Sequence, residues 1–199
     1  MQLYSSSPSP FGRKVKIIAH LTGLYEQLEV VTIDGNGPES TQINPNPLHK
    51  IPALALESGE LIVDSKVICE YLIRASGRTE ILPDDHRVYH LSRAAIADGM
   101  TEAALFMVYE RRFREPPQIN TDWLHRQNQK VLGGLQWWTD NITPVQSTPT
   151  LDQIGLAVSL GYLDFRFSGE WRTRFTDLAL WLTQFQQMVP AYQLTDPQA

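Results

Sequence analysis

Apolar residues change their spacing once along this chain, and the change divides it in two. Over the first eighty residues, short strand-like and helix-like stretches alternate. Gln2 to Ser5 reads as a short strand. Ser9-Pro10 then reads as a helix start: a serine oxygen can accept from a free N–H of the first turn, and proline suits the first helical position. Phe11, Val15, Ile18, Ala19 and Thr22 follow at helical spacing, and Gly23 supplies the stop. Leu28 to Ile33, rich in β-branched residues, predicts a strand, and Asp34 to Pro47 predicts a loop through its Gly, Asn and Pro. Ala53 to Leu56 and Leu61 to Val63 flank Ser58-Gly59 and predict a hairpin. From Ser65, the residues Ile68, Cys69, Leu72 and Ala75 predict a helix that stops at Gly77.

The order β-α-β, long connection, β-β-α argues for a mixed sheet with helices packed on it. After Gly77 the pattern holds no convincing strand. Residues 79–86 include the polar, proline-containing run ILPDDH and read as a joint. Arg87 to Arg114 predicts a long helix with an apolar face at Leu91, Ala94, Ala95, Met100, Ala104 and Met107, ended by Pro116-Pro117. Leu124, Asn128, Val131, Leu135, Trp138 and Ile142 mark an antiparallel second helix. A third runs from near Thr150 through Ile154, Ala157, Val158 and Gly161 to Phe165, and a fourth from about Arg172 to Met188. At the start of the third, Thr150-Leu151-Asp152-Gln153 has the spacing of a capping box, with Gln153 reaching back to the Thr150 backbone. The expected organisation is an α/β domain over 1–78, a linker over 79–86 and an all-helical domain over 87–199.

Composition narrows the function classes. Apolar residues make up 42% of the 199 positions and charged residues 20%, the balance of an ordinary globular protein. The net charge is −5 and the 17 Lys and Arg are scattered, which argues against nucleic acid or an anionic membrane as partner. The first residues carry no long apolar run, so neither a signal peptide nor a membrane span is expected. The single cysteine, Cys69, permits no internal disulfide, and a reducing cytoplasm is the expected location. On an apolar helix face, Cys69 is expected to be a buried, inert thiol.

Two clusters carry candidate chemistry. The first is Ser9-Pro10-Phe11-Gly12-Arg13-Lys14, between the first strand and the first helix. A helix N-terminus offers unpaired N–H groups and a positive dipole end, so it attracts an anion, and a serine hydroxyl there can donate to that anion. The second is Asn44-Pro45-Asn46-Pro47-Leu48-His49-Lys50-Ile51-Pro52-Ala53-Leu54. Pro52 stands where a strand begins, a position that proline tolerates because it cannot donate to a ladder. A cis bond before it would let Ile51 turn its backbone N–H and C=O toward a peptide ligand.

In order and spacing these clusters resemble the glutathione transferases over nearly the whole chain. Ser9-Pro10-Phe11 occupies the place of the catalytic motif of a thioredoxin-like domain, where omega-class relatives carry Cys-Pro-Phe. Asn46-Pro47-Leu48-His49-Lys50-Ile51-Pro52 is similar to the family segment ahead of its cis-proline, and Val63-Asp64-Ser65 resembles the acidic-serine pair that starts the next helix.

The resemblance implies a bacterial, serine-using transferase: a thioredoxin-like domain holding glutathione as co-substrate, then an all-α bundle, with no metal. It implies that Ser9 holds the glutathione thiolate, with Ser7 an open alternative. Asp64 and Ser65 would take the γ-glutamyl end, Ile51 and Pro52 the cysteinyl backbone, and His49 and Lys50 the glycine carboxylate. Asp98 would reach the γ-glutamyl amine from the partner subunit of a homodimer. Phe11, Tyr109, Arg111, Arg112 and Tyr162 would line the site of a small hydrophobic electrophile. Tyr4 lies in the strand, away from the role a tyrosine plays in other classes. A glutathione-dependent peroxidase or dehalogenase, and a non-catalytic glutathione-binding protein, remain alternatives. A thiol-disulfide reductase is disfavoured because Ser9 cannot form a mixed disulfide.

Overall fold

The computed structural model describes residues 1–33 and 42–197. The chain divides into two compact units, Met1–Asp85 together with Val189–Ala199, and His86–Met188. In the first unit, β1 (Gln2–Ser5) leads into α1 (Pro10–Leu21), then β2 (Glu29–Thr32), β3 (Ala53–Ala55), β4 (Leu61–Ile62) and α2 (Ser65–Ser76). The four strands form one sheet in the order β2-β1-β3-β4. β1 pairs parallel with β2 and antiparallel with β3, and β3 pairs antiparallel with β4. This is the mixed sheet that the alternation predicts, in the thioredoxin-like arrangement that the resemblance implies. Of the loop expected over Asp34 to Pro47, positions 34–41 lie outside the described residues, and 42–43 are helical.

Local chemistry sets the helix ends. Ser9 caps α1 with Pro10 at its first position, and Gly23 closes the far end with φ +71°. Asp64 caps α2, and Gly77 ends it in the left-handed conformation. Leu3, Val15, Ile17, Ile18, Leu54, Ile68 and Leu72 are fully buried between sheet and helices, and so is Cys69.

The second unit is helical: α3 (Arg87–Arg112), α4 (Thr121–Asn141), α5 (Leu151–Phe167) and α6 (Thr176–Met188). α5 is buried from Leu151 through Leu163, which makes it the centre of the bundle. Small residues bring its neighbours close. A Cβ on Gly155 would lie 3.3 Å from the Ala97 methyl, and one on Gly134 would lie 2.9 Å from the Met100 sulfur. Ser159 donates to the Ala97 carbonyl at 2.8 Å, so its hydroxyl is satisfied inside the α3–α5 contact. Ala95, expected on the apolar face of α3, is exposed, while Ala97 and Ala103 are buried.

Two helix starts differ from expectation. Thr150 and Gln153 do not form a capping box. The Thr150 hydroxyl donates instead to Asp152 Oδ1 at 2.7 Å, and the Gln153 amide turns away to donate to the Pro144 carbonyl at 2.7 Å. Asp152, 2% exposed, also accepts from Arg93 Nε at 2.6 Å and pairs with His90 Nδ1 at 2.7 Å. Burial alone would push its carboxyl pKa up, but hydrogen bonds from Thr150, Arg93 and His90 outweigh this and leave it below the usual carboxylate value.

The last long helix starts at Thr176 rather than near Arg172. Ser168 and Gly169 take positive φ after α5, and a 3-10 turn spans Glu170–Thr173. That turn is tied down by Asp164, which accepts from Arg172 Nε at 2.8 Å and from the Trp171 indole at 3.0 Å. A final short helix, α7 (Pro190–Leu194), belongs to the first unit and packs on α1. There the buried Arg13 donates to the Tyr192 carbonyl at 2.8 Å and stacks 4.0 Å from the Tyr192 ring centroid. Among the described residues no helix is long and apolar enough to cross a membrane.

Candidate functional site

The pairing register brings three loops to one end of the sheet. Tyr4 of β1 faces Ala53, the first residue of β3, and Leu54 faces Ile62, the last residue of β4. The segments after β1, before β3 and after β4 therefore emerge side by side, and they carry Ser9, Ile51-Pro52 and Asp64-Ser65. With neighbouring strands about 4.8 Å apart, β1 to β4 spans about 10 Å. An extended peptide advances up to about 3.5 Å per residue, so a tripeptide matches that span.

Ser9 is half-buried, with extended backbone (φ −76°, ψ 116°), and its Oγ accepts from the Gly12 N–H at 3.1 Å. That bond uses the oxygen and leaves the O–H proton without an acceptor among the described residues. Pro10 has no N–H, and the Phe11 N–H has no partner among the described residues, so one backbone donor stands open beside the hydroxyl. Gly12 lets α1 start this close to β1. A Cβ there would lie 2.0 Å from Ser5 Oγ and 3.3 Å from Ser5 Cβ. Arg13 and Lys14 follow within the first turn and a half, both buried. Lys16 has its pKa lowered by burial first and by the Arg13 charge second.

The other hydroxyls near the strand end are placed differently. Ser5 is fully buried under Gly12, and Ser7 is exposed and donates to the Pro197 carbonyl at 3.2 Å. The Ser6 carbonyl accepts from the Ser9 N–H at 3.2 Å, which fixes the turn into α1. Tyr4 donates to Gln2 Oε1 at 3.0 Å within its own strand.

The Ile51–Pro52 bond is cis, as is Val63–Asp64. Neither the N–H nor the C=O of Ile51 has a partner among the described residues. The loop before it is shaped by two buried asparagines to which the sequence reading gave no role. Asn44 Oδ1 accepts from the Asn46 N–H at 3.0 Å, Asn46 Oδ1 accepts from the Leu48 N–H at 3.0 Å, and Asn46 Nδ2 donates to the Lys50 carbonyl at 2.8 Å. Asparagine commonly bonds its own backbone two residues on, so the Asn-Pro-Asn-Pro run holds a signal for such turns. His49 and Lys50 are exposed on this loop, with His49 at φ +51°.

Asp64 Oδ1 accepts from the Lys66 N–H at 3.0 Å. Ser65 is buried, and its hydroxyl has no partner among the described residues. Phe11 lies half-buried in the first turn of α1.

The remaining candidates lie in the second unit. Asp98 is 8% exposed on α3. Tyr109 (41% exposed), Arg111 and Arg112 lie on the last turns of α3, where Arg111 donates to the Met107 carbonyl at 3.3 Å. Tyr162, on α5, is 4% exposed. Burial raises the pKa of its phenol, opposed by the charges of Arg166 and Arg112. Among the described residues no group of three or more His, Cys, Asp or Glu is placed to hold a metal ion.

Residues 8–75 match the model of the glutathione S-transferase N-terminal domain. Over 173 residues the chain is 33% identical to the uncharacterized GST-like protein YibF of Escherichia coli K12, covering 83% of each chain. A glutathione S-transferase from Methylobacillus flagellatus KT, solved with glutathione bound, superposes with a TM-score of 0.90 at 29% identity over 98% of both chains. A glutathione transferase family member from Pseudomonas fluorescens Pf-5, also with bound glutathione, gives 0.88 at 31% identity over 98% of both. By sequence over most of its length and by fold over nearly all of it, this chain belongs to the glutathione S-transferase family.

Proposed function

We propose that this protein is a glutathione transferase that binds glutathione across the β1-β3-β4 end of its sheet and holds the thiol as thiolate at Ser9. The observation that carries the reading is the Ser9 hydroxyl: its oxygen is spent on the Gly12 N–H and its proton is left to donate, beside the open Phe11 N–H. In the same row, Ile51 offers one backbone donor and one acceptor to the cysteinyl unit. Ser65, at the N-terminus of α2, offers a hydroxyl to the γ-glutamyl carboxylate, and Asp64 stands next to it for the ammonium. His49 and Lys50 are exposed at the glycine end. Glutathione bound to the relatives from M. flagellatus and P. fluorescens supports the same ligand here.

The energetics suffice without a metal or general base. A cysteine-like thiol has a pKa near ~8.5, and lowering it by about two units takes about 2.7 kcal/mol. A hydrogen bond to a charged group contributes on the order of 1.5–3 kcal/mol, and a helix N-terminus about 0.3–1 kcal/mol. Together they cover the shift. The thiol proton goes to solvent, and the thiolate attacks an electrophilic carbon. On a chlorinated aromatic, a C–S bond forms, the C–Cl bond breaks, and chloride leaves with the bonding pair.

Calorimetric titration with glutathione, followed by conjugation of chlorodinitrobenzene, tests the reading. Binding that weakens in Ser65→Ala, together with release of one chloride per conjugate, is the expected result. Absence of glutathione binding would overturn the proposal.

A further inference from the structure

Two buried amides of the first unit converge on one carbonyl in the loop before β3. Asn46 Nδ2 donates to the Lys50 carbonyl at 2.8 Å, and Asn44 Nδ2 donates to the same oxygen at 3.3 Å. Asn44 is 5% exposed and Asn46 3%. Their own oxygens are used as well: Asn44 Oδ1 accepts from the Asn46 N–H and Asn46 Oδ1 from the Leu48 N–H, each at 3.0 Å. The Asn46 carbonyl accepts from the His49 N–H at 2.8 Å, which closes the turn. Pro45 and Pro47 interleave with the asparagines and have no N–H to offer in their place. A turn of this kind asks only for the two side-chain oxygens. The two Nδ2 donors are spent on the carbonyl just ahead of Ile51.

That carbonyl belongs to the Lys50–Ile51 peptide, which is trans and planar. Its C=O and the Ile51 N–H therefore point in opposite directions within one plane. A carbonyl oxygen has two lone pairs, and a donor on each fixes the plane of the group. Holding the Lys50 carbonyl thus aims the Ile51 N–H, which has no partner among the described residues. Donors on a carbonyl also polarise its peptide, which strengthens the N–H as a donor.

Resting on the glutathione reading above, we propose that Asn46, assisted by Asn44, is a positioning residue for glutathione: it sets the Lys50–Ile51 peptide so that the Ile51 N–H donates to the cysteinyl carbonyl. Neither asparagine touches the ligand in this role. Their contribution is preorganisation, because a peptide plane set before glutathione arrives does not have to be ordered by binding. The effect falls on the cysteinyl backbone and not on the thiolate, which Ser9 holds from the segment after β1.

Calorimetry with glutathione and with its (E)-alkene isostere, in which a C=C bond replaces the cysteinyl-glycine amide and removes the carbonyl, tests this. The parent should bind glutathione about fivefold or more tightly than the isostere, the scale of one peptide hydrogen bond whose donor is left unpaired. Asn46→Asp keeps the oxygen that accepts from the Leu48 N–H and removes only the Nδ2 donor. In that variant the ratio should fall to about two or less, with the isostere bound as by the parent and the thiol pKa of bound glutathione unchanged. Asn44→Asp should lower the ratio by less, because its bond to Lys50 is the longer one. Variants that weaken both ligands alike, leaving the ratio at its parental value, overturn the proposal, since the asparagines then only shape the loop. Equal binding of the two ligands by the parent also overturns it while leaving glutathione binding intact. So does failure of both variants to fold, followed by circular dichroism, which makes the asparagines structural. If the parent does not bind glutathione, the transferase reading itself fails and the positioning role falls with it.

Discussion

Asp152→Asn isolates the buried network of the helical unit. The carboxylate accepts from Thr150 at 2.7 Å and Arg93 at 2.6 Å and pairs with His90 at 2.7 Å, all behind a residue 2% exposed. Asparagine keeps the size but removes the charge and presents an N–H₂ group where the network needs an acceptor. Breaking one side of a buried ion pair costs about 3–5 kcal/mol. Arg93 keeps its bond to the Asn141 carbonyl at 3.0 Å and its place 4.5 Å from the Trp138 ring centroid, which favours the lower figure. A loss of about 3 kcal/mol should lower Tm by roughly 6–12 °C in a domain of this size.

The pH dependence carries a sign. Because hydrogen bonds hold the folded-state pKa of Asp152 below its ordinary value, its contribution is present above the unfolded pKa, near ~3.9. It is lost as pH falls through the lower folded value. The gap between parent and variant should therefore be full at pH ~7 and narrow as pH falls from about 3.9 through the lower folded value. Urea unfolding followed by tryptophan fluorescence measures it. A parent-like midpoint at neutral pH, within about 0.5 kcal/mol, would refute the network as a stability element.

Other perturbations probe the first unit and the assembly. Gly12→Ala gains about 1 kcal/mol of helix propensity but drives a methyl into Ser5, and overpacking of this kind costs about 1–3 kcal/mol. The variant should be no more stable than the parent, Ser5→Ala should restore part of the loss, and a clear gain in urea midpoint would contradict the close approach. Asp64→Asn retains a capping acceptor, so stability should hold while glutathione affinity falls severalfold by calorimetry. Unchanged affinity removes Asp64 from the site. From the family resemblance we propose a homodimer, and light scattering at micromolar concentration should report about twice the 22.6 kDa chain mass, against a single chain mass if the proposal fails.

What the sequence made legible follows from how local each signal is. Ser9-Pro10 and Gly23 announced both ends of α1, and Asp64 and Gly77 those of α2, because caps and left-handed stops depend on one or two residues. The edges of β3 and β4 came out shorter than the apolar runs, since ladder pairing rather than residue type ends a strand. Ala95 was misplaced because packing of α3 against two helices rotates its buried face toward Ala97 and Arg93. Gln153 had the right spacing for a capping box, yet long-range contacts to Thr143 and Pro144 claimed its amide. The partnership of Arg13 with Tyr192, 179 positions along the chain, leaves no local trace at all. The asparagine scaffold beneath Ile51 is visible in the sequence as Asn-Pro-Asn-Pro, within the segment that resembles the family, but the bond from Asn46 to the Lys50 carbonyl is not.

In the proposed mechanism the Ser9 hydroxyl donates to the glutathione thiolate. Thiolate absorbance of bound glutathione against pH measures this directly in wild type, Ser9→Ala and Ser7→Ala. Loss of one hydrogen bond to a charged group, about 1.5–3 kcal/mol, corresponds to a rise of about one to two pH units in the thiol pKa. Ser9→Ala should show that rise with glutathione affinity largely kept, while Ser7→Ala, whose parent hydroxyl is held by the Pro197 carbonyl, should titrate as wild type. A titration unchanged in Ser9→Ala would contradict the account. It would leave the thiolate to the backbone N–H groups at the start of α1, or to Ser7 if that variant shifts instead.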